Sequence, residues 1–468
     1  MIAGVAAGHP ATAAAGAEVV AEGGTAADAA IAACLASCVA ETVMTGLLGG
    51  GHGIYLDAAA GTVRNLDCFC AVPGLGAPPG EPPPLVGIKV PFGAELVHYA
   101  IGVASCAVPG IPAGLGALWS AHGRLPWPRL FGPALRLARE GVEMPAAHAA
   151  CLEMLAPVMT MREGARMYAP EGTLLRPGER LLQPGLVPAL ESLAEDGARA
   201  AYSGPIGESL LGLVAERGGR LTREDLVAYE ARWTEPVERR RLGLRFLTRA
   251  GLSGVPSTLD RLPPLGALSP ASRVLALVAA LDDGAAAAAT PTHTTNLVAV
   301  DREGSACVLT TSLGLGSGDW LPGLDLHLNS MLGEVDLLRA PLEPGGRMES
   351  MMAPTLVLDG GSPVLAIGAA GGTRLRTALL SVVAGILDEG LEPQAAVDRP
   401  RVHPAEGVVN VEPGVDAEAL EALEAAGRTV RRWPQLHHYF GGVSASGQQG
   451  VAADPRRSGA ALTAPSRD

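Results

Sequence analysis

The chain is poor in the residues that mark several common functions. Lys89 is the only lysine, and no stretch clusters basic residues; with a net charge of −13 this excludes an extended nucleic-acid surface. Aromatics make up 3% of the residues, so the core must be built from Ala, Val, Leu and Gly. The seven cysteines (34, 38, 68, 70, 106, 151 and 307) are odd in number, lie among apolar residues and have no partner pair at zinc spacing. They read as small buried hydrophobes rather than a disulfide framework or a metal site. There is no Gly-x-Ser-x-Gly elbow, and the Gly46–Gly53 loop is not followed by the Lys-Ser/Thr of a phosphate loop. Residues 96–123 carry no Asp, Glu, Lys or Arg, but Pro109, Pro112 and five glycines make them strand, turn and helix rather than a membrane span. Met1–Gly4 runs straight into patterned sequence with no charged, cleavable leader, so the expected location is the cytoplasm.

What remains is a chain of 468 residues with 48% hydrophobic content, enough for a large core. Its 61 glycines and 38 prolines punctuate apolar runs instead of forming a polar tract, which argues against disorder. The first part has helical patterning. Residues 10–22 stop at Gly23-Gly24, and Thr25 with Asp28 forms a capping box for an all-apolar helix over 26–40. Residues 73–94 are rich in Pro and Gly and read as surface chain. Further helices are expected at 113–122, at 128–141 with a kink at Pro133, across 186–218, and from Thr222. Residues 250–292 carry the least pattern.

After residue 294 hairpins dominate. The expected strands are 296–301 with 305–312, 355–358 with 363–368, and a last pair over 441–453; a helix to about 388 follows Gly371-Gly372. Helix-rich first and strand-rich second gives an α+β layered architecture.

The chemistry concentrates at Thr292-His293-Thr294-Thr295-Asn296, where five alanines and a Thr-Pro precede an apolar strand. β-branched residues opening a strand explain the cluster without any activity. A self-cutting chain explains it too, because an N-terminal threonine carries both a hydroxyl nucleophile and, in its α-amino group, a base of pKa about 7.7–8.0. Such a site needs oxyanion donors. Gly371-Gly372 at the mouth of a helix offers unhindered N–H groups, although a glycine turn between strand and helix reads the same way.

Seven elements in order then resemble the γ-glutamyltranspeptidase family of N-terminal-nucleophile hydrolases. They are Gly4–Pro10, Gly23-Gly24-Thr25-Ala26-Ala27-Asp28-Ala29-Ala30, Gly49–Gly51, Thr294-Thr295-Asn296 through Asp301, Ser350–Thr355, Pro400-Arg401-Val402-His403 and Ala452–Arg457. The resemblance implies a four-layer αββα sandwich and cleavage between His293 and Thr294. It implies segments 1–293 and 294–468 that stay associated, and a small-molecule γ-glutamyl amide as substrate, with no cofactor, metal or membrane partner. Residue by residue it implies Thr294 as nucleophile, Ser312 supporting its hydroxyl, and Gly371 and Gly372 as oxyanion donors. Glu334 would hold the donor's α-amino group, with Ser350 and Asn329 beside the substrate. The family's carboxylate-binding arginine has no counterpart between Arg64 and Arg124, which leaves only Lys89 to supply charge. Gly314 and Met331 stand where the family has side-chain amides, and a helical part before residue 290 is missing. The same threonine chemistry on a non-glutamyl substrate, as an acylase or C–C hydrolase, is the alternative; a non-catalytic binding homologue is a third.

Overall fold

The computed structural model describes residues 1–78, 84–92, 95–282, 293–339, 341–405 and 407–464. The five-alanine tract and Thr292 lie outside the described residues.

Two antiparallel sheets carry the fold. The first runs in the order 460–463, 4–7, 295–300, 306–312, 50–57, 62–68 and 232–234. The second runs 451–453, 442–447, 362–370, 355–359, 244–248 and 237–241. Alternation along the strands sends one set of side chains between the sheets and the other set outward. Val298, Val300, Val308 and Ile54 meet Leu356, Leu358, Ala366 and Leu247 in the layer between sheets. Leu297, Ala299, Cys307 and Leu309 point the other way, into a cluster with Ile31, Cys34, Leu35 and Cys38 of the helix over 26–40. On the far side Leu365, Ile367, Val443 and Ala445 pack with Leu379, Val382 and Val383 of the helix over 374–387. The result is the four-layer αββα sandwich implied by the resemblance.

The helix Ala26–Ala40 buries all 15 of its residues. Its start is fixed as expected: Thr25 accepts from the Asp28 N–H, and the Asp28 carboxylate accepts from the Thr25 N–H. Asp301 completes that start, accepting the Ala26 N–H at 2.9 Å with one oxygen and the Glu303 and Ser305 N–H groups with the other. One carboxylate thus ties the helix to the hairpin turn behind strand 295–300. The glycine loop is explained by packing: a Cβ on Gly49 would lie 2.1 Å from the Ser312 carbonyl oxygen, and one on Gly51 2.6 Å from that of Thr310.

Some local expectations change. Pro133 does not kink a long helix; it stands in the first turn of the helix Gly132–Glu140, where its missing N–H costs nothing. The 186–218 region is three helices, 186–196, 200–203 and 205–217. The weakly patterned stretch holds the helices Val255–Arg261 and Pro270–Leu281. No helix among the described residues is long and apolar enough to cross a membrane.

Candidate active site

Thr294 is buried immediately before strand 295–300, near the centre of the first sheet. Ser312 ends the adjacent strand. Its hydroxyl donates to the His293 carbonyl at 2.5 Å and accepts from the Gly314 N–H at 2.9 Å. The carbonyl just before Thr294 is thereby held by an oriented donor.

Two small cavities flank Thr294. One is also lined by Ser312, Gly372, Glu334 and Ser350, with Phe69, Met331, Leu337, Met351, Met352 and Leu375 as walls. The other is lined by Gly8, Glu41, Met44, His148, Ser444, Asp454 and Arg457 among others. Their volumes are about 20 and 10 Å³ respectively, so each has room for about one water.

Gly371 and Gly372 have φ of 130° and 58°, and their carbonyls start the helix over 374–387 by accepting from Arg374 and Leu375. Among the described residues no acceptor takes either N–H. A Cβ on Gly371 would come within 2.9 Å of the Gly441 Cα, so both the dihedral and the space require glycine.

Glu334 is fully buried beside this cluster, and its Oε1 has no hydrogen-bond partner. Burial, reinforced by the Asp336 carboxylate, pushes its pKa up to about 8. A buried acceptor left unpaired costs free energy, and a donor-bearing ligand would satisfy it. Gly314 lies directly against this oxygen: a Cβ there would sit 2.7 Å from Oε1 and 2.6 Å from the Ser330 hydroxyl. The Met331 side chain lines the same cavity.

Ser350 lines the same cavity, its hydroxyl accepting from the Met352 N–H at 3.2 Å. A cation absent from the sequence expectation stands behind it: Arg249 donates to the Ser350 carbonyl at 2.9 Å and has its pKa lowered by burial. Among the described residues lining the Glu334 cavity, none is Arg or Lys.

Two expected substrate residues do not reach the site. Lys89 is exposed on the strand Val86–Phe92 and lines neither cavity. Asn329 is fully buried but spends its amide on structure. It donates to the carbonyls of Leu48 and Ala107 at 2.8 and 2.9 Å, and accepts from the Ala107 and Met331 N–H groups at 2.9 and 3.2 Å. It staples three loops together and keeps no donor for a ligand.

Two further groups come to Thr294 that sequence reasoning passed over. Glu41, at the end of the helix over 26–40, accepts from the Thr295 hydroxyl at 2.5 Å and from the Thr12 hydroxyl at 2.7 Å. Burial raises its pKa to about 7. Arg457 is buried opposite, donating to the Met44 sulfur at 3.2 Å while its Nε has no acceptor. Burial lowers its pKa as well. A lone acid closing a long apolar run, Val39-Ala40-Glu41, was the available signal for the first of these.

The Gamma-glutamyltranspeptidase family profile matches residues 12–259 and 271–464. Glutathione hydrolase proenzyme 1 of Schizosaccharomyces pombe is 26% identical, over 94% of this chain and 82% of that protein. The Acylase ACY 1 proenzyme of Pseudomonas sp. (strain V22) is also 26% identical, over 96% and 89% respectively. Among solved structures, the cephalosporin acylase from Bacillus halodurans superposes with a TM-score of 0.81 at 22% identity, over 100% of this chain and 97% of that one, which is a likeness of fold. On the profile match across most of its length, the chain belongs to the gamma-glutamyltranspeptidase family.

Proposed function

We propose that the chain cuts itself between His293 and Thr294 and then hydrolyses small-molecule amides through an acyl-enzyme on Thr294. The observation that carries this reading is the Ser312 hydroxyl held 2.5 Å from the His293 carbonyl oxygen, beside Thr294 and the two free glycine N–H groups. In the first stage the Thr294 hydroxyl attacks the His293 carbonyl carbon, and the Ser312 hydroxyl stabilises the charge that develops on oxygen. The peptide C–N bond breaks as the ester forms, freeing the Thr294 amino group. Water then hydrolyses the ester and leaves residues 1–293 and 294–468 as separate, associated segments.

In the second stage the freed amine takes the hydroxyl proton as Thr294 attacks a substrate amide. The N–H groups of Gly371 and Gly372 receive the oxyanion, the amine leaves with the proton, and water releases the acid. With His293 in place there is room near Thr294 for little more than water, so departure of the cut end is what admits an acyl group.

For the acyl group, the cavity supports an apolar chain bearing an amino or other donor group. Glu334 offers an unpaired oxygen to that donor, while Phe69, Met331, Met352 and Leu375 supply apolar wall, and among the described lining residues none is Arg or Lys. Similarity to the ACY 1 acylase proenzymes over nearly the whole chain is consistent with such a substrate. A γ-glutamyl group is the second reading, favoured by Glu334 and Ser350 lining one cavity with Thr294 and by Arg249 behind Ser350.

Intact-mass measurement of the purified protein tests the first stage. Wild type should give two fragments and T294A one; an uncut wild-type chain with full-length mass would end the proposal. Hydrolysis of γ-glutamyl anilide against anilides of apolar ω-amino acids then separates the two substrate readings.

A further inference from the structure

A third and larger cavity shares no lining residue with the two at Thr294. Its volume is about 360 Å³, within the range of small-molecule sites. Its walls come from the helix Pro270–Leu281, the helix over 374–387 and the segments 399–402 and 414–416. Leu277, Leu391, Val402 and Val415 make it largely apolar.

Its charged groups are Arg273, Arg399, Arg401, Glu389 and Asp416; Arg401 is paired with Asp454, and Asp416 accepts the Ala419 N–H. Arg273 and Arg399 both pair with Glu389, the Arg399 bond being 2.7 Å, so two guanidinium charges share one carboxylate. Three donors on the lining residues have no acceptor: Arg273 Nε, Arg401 Nε and the hydroxyl of Ser381. Ser381 is more than nine-tenths buried and Arg401 is almost wholly so. Buried donors without acceptors are costly, and here they gather in one apolar chamber beside two guanidiniums that share a single carboxylate. Arg273 and Arg399 are partly exposed, with side-chain exposures of 27% and 31%, which leaves the charged end open to solvent.

We propose that this cavity is a second ligand site, taking a small amphiphilic carboxylate whose head group meets Arg273, Arg399 and Ser381 while its apolar body lies against Leu277 and Val415. An alcohol of the same length brings the apolar body without the charge, and inorganic phosphate brings the charge without the body. Neither satisfies both halves of the cavity.

Equilibrium dialysis of radiolabelled decanoate against the T294A chain tests this, with decanol and phosphate as competitors. The expected result is one saturable site per chain, with decanol and phosphate each at least about tenfold weaker. Loss of one charge-assisted hydrogen bond predicts about a tenfold or larger fall in decanoate affinity for R273Q and R399Q. Both are partly exposed positions, and thermal melts confirm that the variants are folded. S381F, which fills the chamber, should abolish binding. Absence of saturable binding, equal affinity for decanol or phosphate, or folded R273Q and R399Q that bind decanoate unchanged would each overturn the proposal. The Thr294 cleft is the competing location, and binding there would be insensitive to all three substitutions.

Discussion

Replacing Glu334 with glutamine should stabilise the folded chain at alkaline pH and leave it unchanged in acid. Glu334 holds its proton to about pH 8 in the fold, against an ordinary value of 4.5. Between those two pH values the unfolded chain has released a proton that the folded chain keeps, so stability falls as pH rises and levels off above about 8. At about 1.4 kcal/mol per unit, the penalty at pH 8 is on the order of 4 kcal/mol, and it vanishes below about pH 4. Glutamine has the same shape and no such penalty. For 468 residues the unfolding entropy is on the order of 1 kcal/mol/K, so the variant should melt about 4 °C higher at pH 8 and at the same temperature at pH 4. The T294A background keeps the chain in one piece for the comparison. Glu41, with a pKa of about 7, adds a loss of the same sign between about pH 4.5 and 7, but it is common to both proteins and cancels in the difference. A melting difference that is constant from pH 4 to 8, or a variant less stable at pH 8, would refute the claim that Glu334 is a destabilised buried acid waiting for a cationic partner.

Removing the Ser312 hydroxyl deletes the donor on the His293 carbonyl. S312A should cut itself about 10²–10³ times more slowly, the loss expected for one oxyanion donor, and S312T should restore most of the rate in a time course followed by gel. At Glu41, E41Q removes the group titrating near pH 7, so the dependence of autocleavage rate on pH between 6 and 8 should flatten. An unchanged profile would show that Glu41 only braces Thr295. N329A leaves the Leu48 and Ala107 carbonyls and the Ala107 N–H without their partner, and should lower stability by about 2–4 kcal/mol in urea while leaving KM of the surviving enzyme near wild type. A raised KM with unchanged stability would return Asn329 to the substrate site.

What could be read in advance depended on whether a residue's role is local. The Thr25–Asp28 box, the all-apolar helix behind it and the hairpin turning at Glu303-Gly304 are properties of a few adjacent residues, and all three stand as expected. Ser269-Pro270 was an equally local start signal, and the helix it opens was overlooked only because no strong periodicity follows. Partner choice is not local. Nothing along the chain says that Asn329 will find Leu48 and Ala107, some 281 and 222 positions away, and so have no amide left for a ligand. Nor does it say that Glu41 will meet Thr295 across 254 positions. The same limit explains the missing arginine. The segment between Arg64 and Arg124 offers only Lys89, which is exposed, whereas Arg249 reaches Ser350 from just beyond the strand 244–248. Because Arg249 donates to main-chain carbonyls there, it fixes the shape of the Ser350–Met352 loop before it can offer charge to anything bound. Charge at this site therefore acts first on the architecture of the pocket. That ordering supports the proposal of an acyl group recognised through Glu334 and apolar contact over one gripped by its carboxylate.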